Sequence, residues 1–259
     1  MNNTFSFTRF FRLFAKHTRE QWRTYLMSAA VLIGILIILF SLFAYSNNGA
    51  VPVKFQIVYF FIFLIFSGTI FTSMIFSELG DKKKAIPALT LPVSHFERFL
   101  VAWIYSFVIF QVVFIACFFA VNSITVQIGN HNPLIHNEVM QLDFKIDVIF
   151  FLYVAFIALH AVTLLGAIYF EKLHFVKTAF ILFIFLALLS LVNYIMIHGM
   201  FNSGVHPTAP FKNLNLDGNN AYSQIHPNPT ADTIFIVMIY VLTLLLWITA
   251  YFKLKEKQV

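Results

Sequence analysis

Six stretches of the chain, residues 25–45, 55–77, 99–121, 148–170, 178–197 and 233–252, are almost wholly apolar. Each is about 20 residues long, which as a helix rising about 1.5 Å per residue crosses the roughly 30 Å hydrocarbon core of a bilayer. In lipid the backbone polar groups must be satisfied within the segment, so these stretches read as helices. Composition argues against a water-soluble fold. Of the 259 residues 60% are hydrophobic and only 11% charged, against about a quarter charged in ordinary globular domains. The fold class is therefore an all-α polytopic membrane protein with six transmembrane helices. The breaks carry turn and loop chemistry: Ser46-Asn47-Asn48-Gly49, Gly80-Asp81, Gly129-Asn130, and a Pro/Asn-rich segment over 202–229.

Charge sets the orientation, because Lys and Arg accumulate on the cytoplasmic side. With the N-terminus inside, only Lys54, Lys145 and Lys212 of the 17 basic residues fall outside. Both termini are then cytoplasmic, and the net charge of +6 is a matter of topology, not of a nucleic-acid partner. The first apolar run is too long for a signal peptide and has no convincing cleavage site. Three units are expected: a basic amphipathic helix over 1–24, one six-helix membrane domain over 25–252, and a cytoplasmic tail over 253–259. In the first, Phe7, Phe10, Phe11 and Phe14 recur at helical spacing opposite Arg9, Arg12, Lys16, Arg19 and Arg23, as in a helix lying in the membrane interface. Thr18-Arg19-Glu20-Gln21 has capping-box form and is expected to restart the helix ahead of the first span.

The segment 78–98 is the one sizeable cytoplasmic loop. Ser94 and Glu97 form an S-x-x-E capping box, so a helix should start at Ser94 and run into the third span. Ahead of it stand Asp81, Lys82, Lys83 and Lys84, then Ile86, Leu89, Leu91 and Val93. These apolar side chains are costly in a free aqueous loop and point to docking on a protein surface or the membrane interface.

The chain has no P-loop, no nucleophile elbow, no H-E-x-x-H and no Cys/His cluster at metal spacing, so no catalytic role and no cofactor is expected. The single Cys117 excludes an internal disulfide. What remains is polar residues inside spans, which lipid makes expensive. In the second span Gly68 and Thr72, and Thr69 and Ser73, stack at i, i+4 into a strip of small residues suited to close helix packing. Gln111 and Asn193 are suited to interhelical hydrogen bonds. His160, near the centre of the fourth span, reads either as a packing histidine or, with His198, as a haem ligand.

In architecture the chain resembles the permease subunits of exporter-class (type-2) bacterial ABC transporters. The likeness rests on a basic amphipathic first helix, six spans, a cytoplasmic connector between spans two and three, and a larger outer loop before span six. Its most specific stretch is Leu89-Thr90-Leu91-Pro92-Val93-Ser94 followed by Glu97, and the closing Phe252-Lys253-Leu254-Lys255-Glu256-Lys257 is also similar. The resemblance implies a dimer of two six-span subunits, identical or not, in the bacterial cytoplasmic membrane, with ATP hydrolysis on a separate ABC-type ATPase subunit. It implies that Asp81–Ser94 acts as the coupling element, with Glu97 at its end, that the helix around Phe7–Phe14 is the elbow, and that short re-entrant helices precede span six. A membrane redox protein using His160 and His198, and a non-transporting assembly or immunity protein, are the alternatives.

Overall fold

The computed structural model describes residues 5–76, 93–133, 135–170, 173–200, 205–207, 214–218, 221–225 and 229–256. The chain is an all-α polytopic membrane protein, with six helices long and apolar enough to cross a bilayer. They are α1 (Phe7–Ser46), α2 (Val53–Met74), α3 (His95–Gly129), α4 (Asp147–Tyr169), α5 (His174–Met200) and α6 (Pro229–Glu256). Helix α6 opens on proline, whose missing N–H is not needed in a first turn.

Helix α1 runs unbroken across residue 24, so the expected amphipathic helix and the first span are one element. Thr18 does not restart it. Its hydroxyl donates back to the Phe14 carbonyl at 2.9 Å and also meets the Tyr105 hydroxyl, which removes it from capping. The 40 residues of α1 would extend about 60 Å, twice the hydrocarbon core, so a substantial length lies outside that core. The phenylalanine stripe is divided. Phe10 and Phe14 pack on α3 beside Val101 and Tyr105, while Phe7 and Phe11 are exposed. At about 100° per residue, the four rings fan across one face, and only one edge of the fan meets α3.

Large aromatic side chains fill the core. Phe40, Phe60, Phe114, Phe118 and Phe156 are fully buried with Leu36 and Leu64. Phe60 meets Phe114 and Phe118 edge-on at 5.4 and 5.1 Å, and Phe40 meets Phe118 the same way at 5.5 Å. Such offset geometries suit the ring quadrupoles. The small-residue strip of α2 lies where α4 approaches: a Cβ on Gly68 would stand 2.7 Å from Phe156 Cε2. Beside it Thr69, Thr72 and Ser73 are buried. On α4, Gly166 lets Thr178 of α5 approach so closely that a Cβ would overlap its hydroxyl. The other side of α4 packs on α6 through Leu164, Ala167, Ile168, Ala250 and Leu254.

Helices α1 and α3 run in the same direction but do not keep step throughout. Thr18 meets Tyr105 and Phe40 meets Phe118. Between these contacts α1 spends 22 residues (18 to 40) and α3 spends 13 (105 to 118). The surplus falls between Thr18 and Tyr25, which both meet Tyr105; from Tyr25 to Phe40 α1 spends 15 residues against the 13 of α3, and the two helices stay nearly in step. Two adjoining cavities of about 90 and 140 Å³ lie along this stretch of α1, sharing Tyr25, Ser28, Phe71 and Met74.

The end of the bundle where α1 and α3 begin is the basic end. The opposite end is tied by side-chain amides. Asn137 donates to the Gly49 carbonyl and accepts from Val51 N–H, at 2.9 and 2.8 Å. Gln56 donates to the Val51 and Glu138 carbonyls and accepts from Asn122 and from Met140 N–H. Buried amides with this many partners fix the 135–140 segment on the helix ends. Between α5 and α6 the chain forms a small antiparallel sheet in the order β1 (Val205–Pro207), β2 (Leu214–Gly218), β3 (Ala221–Ile225). Gly218 pairs with Ala221, leaving only Asn219 and Asn220 between the last two strands. The described parts of this loop before α6 are therefore strands, not re-entrant helices, as suits a segment dense in Pro, Asn and Gly.

Candidate functional site

Besides the amide clasp around Gln56 and Asn137, three polar constellations stand out among the described residues, and all three involve α3. The first is at its start. Ser94 and Glu97 form the expected capping box: the Ser94 hydroxyl accepts from Glu97 N–H at 3.2 Å, and Glu97 Oε2 accepts from Ser94 N–H at 2.9 Å. The other carboxylate oxygen, Oε1, accepts from Ser6 N–H at 2.8 Å and from the Arg9 guanidinium at 3.1 Å. Ser6 is the N-cap of α1, and its own side chain makes no capping bond. One carboxylate thus serves the N-terminal N–H groups of two helices, where both helix dipoles favour negative charge. Glu97 stands two residues ahead of the third span. Burial pushes its pKa up, but the Ser94 and Ser6 N–H groups and Arg9 outweigh burial and hold it below the ordinary carboxylate value.

The second constellation surrounds His160. Between Ile104 and Ile109, helix α3 makes a π-helical turn, a distortion that recurs at functional sites. That turn carries Ser106, whose hydroxyl lies 3.0 Å from His160 Nε2. Trp247 of α6 donates its indole N–H to His160 Nδ1 at 3.3 Å. Because Nδ1 accepts, Nε2 carries the proton and donates to Ser106, which assigns the tautomer. The Ser106 hydroxyl in turn faces the Trp103 carbonyl at 3.4 Å. The rings of Phe107 and Trp247 stand 5.0 and 6.0 Å from the imidazole. His198 is elsewhere. The Gly166–Thr178 contact sets the register of α4 on α5, which puts position 184 opposite His160 and leaves His198 about 21 Å further along at 1.5 Å per residue. The two histidines of one chain therefore cannot share one iron. Among the described residues no group of three or more His, Cys, Asp or Glu is arranged to hold a metal ion.

The third is Gln111. Its Oε1 accepts from the Tyr153 hydroxyl of α4, while its Nε2 is buried without a partner. The pair lines a cavity of about 240 Å³.

Of the residues expected to matter, Val93, Ser94 and Glu97 are in place at the head of α3. Asp81, Lys82, Lys83, Lys84, Ile86, Leu89 and Leu91 lie outside the described residues. Thr72 is buried in α2 with its hydroxyl unpartnered. Asn193 is a buried polar residue on α5, whose Phe180, Phe183 and Ile195 are exposed. Sequence reasoning missed Ser6 and Arg9 as partners of Glu97, Ser106 and Trp247 as partners of His160, and the Gln56–Asn122–Asn137 clasp. A polar side chain standing alone in an apolar run, such as Ser106 or Gln56, was the available signal. Compared with known proteins, the chain matches no family model, no curated protein and no solved structure.

Proposed function

We propose that the chain is the membrane-spanning subunit of an ABC-type exporter, driven by a separate ATPase that docks on the connector between α2 and α3. It lies in the bacterial cytoplasmic membrane with both termini in the cytoplasm, and it works as one half of a permease dimer, with an identical or a related second subunit. The observation that supports this reading most is the Glu97 junction. The connector leads directly into Ser94 and Glu97, and Glu97 bonds the first backbone N–H groups of α1 and α3 together. A push on the connector therefore reaches two membrane helices through one buried carboxylate. The two cavities along α1 leave space beside those helices for relative movement.

The test is a Leu89→Ser, Leu91→Ser double variant compared with wild type in the same membranes. Neither residue is in a span, so insertion should be normal. A small interface depends on a few apolar anchors, so ATPase co-purification, or coupling of hydrolysis to transport, should fall. Normal insertion, normal co-purification and normal stimulated hydrolysis together would remove the coupling role. A haem-binding reading has no comparable support, since both ring nitrogens of His160 are already engaged within the protein.

A further inference from the structure

We propose that the cavity between α2, α3 and α4 is a binding site for a small apolar molecule that carries a carbonyl oxygen. It measures about 240 Å³ and is lined by Phe60, Phe61 and Leu64 of α2, Gln111 of α3, Tyr153 of α4 and Leu142 of the segment before α4. A dry apolar cavity of about 150 Å³ already accepts benzene, so this one has room for a single substituted ring of about nine heavy atoms. The inference rests on the geometry of this cavity and not on the transport reading.

The polar chemistry of the wall selects the ligand. Tyr153 donates its hydroxyl proton to Gln111 Oε1, which occupies the acceptor side of the amide. Gln111 Nε2 is buried without a partner. An amide N–H₂ left unpaired at membrane depth is costly, because neither lipid nor hydrocarbon side chains can accept from it. Water is a poorer solution, since a buried water typically makes about three hydrogen bonds and the wall offers two partners at most, this amide and the Tyr153 oxygen. A single acceptor on an otherwise hydrocarbon ligand engages the unpaired N–H₂ group and leaves the rest of the molecule against Phe, Leu and Ile side chains. The roof is held in place, because Met140 N–H and the Glu138 carbonyl are bonded to Gln56. Phe144, 48% exposed and 5.3 Å from the Tyr153 ring, stands at the open side.

The experiment uses the full chain in detergent micelles and two fluorinated probes observed by fluorine NMR. These are para-fluoroacetophenone and para-fluoroethylbenzene, which has nearly the same shape without the carbonyl. Empty micelles give the partitioning background. The ketone should show saturable binding above that background, displaced by unlabelled acetophenone. The hydrocarbon should bind about tenfold more weakly, the difference one buried hydrogen bond makes. Gln111→Leu should lower ketone affinity to the hydrocarbon's level, and Leu142→Trp, which fills the cavity, should abolish binding of both. No saturable binding, equal affinities for the two probes, or an unchanged ketone affinity in a folded Gln111→Leu protein would each overturn the proposal. If Gln111→Leu does not fold, the comparison of the two probes on wild type decides.

Discussion

Ser6 and Glu97 stand 91 positions apart and meet where two helices begin, the Ser6 backbone N–H donating to Glu97 Oε1 at 2.8 Å. In an ordinary capping box, a Glu three residues into a helix reaches back to its own N-cap N–H. Glu97 does this for α3 through Oε2 and offers Oε1 to the N-cap of α1. The two helices are therefore coupled at their first residues, before either enters the apolar layer. Arg9, one turn into α1, supplies the counter-charge.

The first prediction orders two substitutions at this junction. Ser94→Ala removes a single helix cap, which typically costs about 1 kcal/mol. Glu97→Ala removes the acceptor for Ser94, Ser6 and Arg9 at once and should cost clearly more. Thermal unfolding of the purified protein in one detergent should give a larger drop for Glu97→Ala than for Ser94→Ala. Equal drops would show that the bonds to α1 add nothing.

The second concerns pH. The folded pKa of Glu97 lies below its unfolded value, so its contribution is complete above the unfolded pKa and is lost as pH falls through the folded one. The gap in unfolding midpoint between wild type and Glu97→Gln should be flat from roughly pH 6 to 8 and should shrink below about pH 4, the ordinary range of a glutamate. A gap that grows on acidification would contradict the geometry.

The spans were legible because a bilayer demands an apolar stretch of about 20 residues in every helix that crosses it, whatever the neighbours. The capping box at Ser94 and Glu97 was legible because its partners lie three residues apart. The rest of the junction was not, since nothing local to Ser6 or Arg9 announces a carboxylate 91 or 88 positions away. The continuity of α1 was misread at Thr18, where an N-cap residue type sits in mid-helix and bonds back to Phe14 instead. The π-turn has no marker in the run Ile104–Ile109, and its Ser106 is meaningful only once His160 of α4 is beside it. Gln111 could be singled out as polar among apolar residues, but not the Tyr153 that holds its orientation. In the outer loop the resemblance implied re-entrant helices; the Pro/Asn-rich composition suits the strands found instead, but it does not give their pairing.

Helix packing gives a third prediction. Gly166→Ala puts a methyl group where the Thr178 hydroxyl stands. Overpacking of this kind typically costs about 1–3 kcal/mol. Thr178→Ala removes the obstruction, so the double variant should recover most of the loss. Unfolding midpoints of the two single variants and the double variant measure the coupling. If the double variant loses the sum of both single effects, the two positions do not touch.

Orientation is tested by accessibility. In a background lacking Cys117, single cysteines replace Asn2, Lys83 and Asn219. An impermeant thiol reagent applied to intact cells should label position 219 and leave 2 and 83 untouched until the cells are opened. Labelling of position 83 in intact cells would invert the assignment.

The last prediction concerns His160, whose two nitrogens are held by Ser106 and by Trp247. In this arrangement the imidazole is a crosslink among α3, α4 and α6, and its lone pair is spent on an indole N–H. Removing one partner of a buried pair leaves the other unsatisfied, at a typical cost of about 1–3 kcal/mol. Ser106→Ala strands the Nε2 proton, and Trp247→Phe strands the Nδ1 lone pair, so each should lower the unfolding midpoint. His160→Gln keeps an N–H₂ donor group and an acceptor oxygen on a side chain of similar reach and should cost less than His160→Leu, which keeps neither. The same four variants, purified alongside wild type, are examined for a Soret band and for bound metal. A structural crosslink predicts that spectra and metal content are the same in all five proteins while stability differs. Wild type carrying stoichiometric haem or metal that His160→Gln removes would mean the imidazole gives up one of these hydrogen bonds to serve as a ligand, and the redox reading would take precedence.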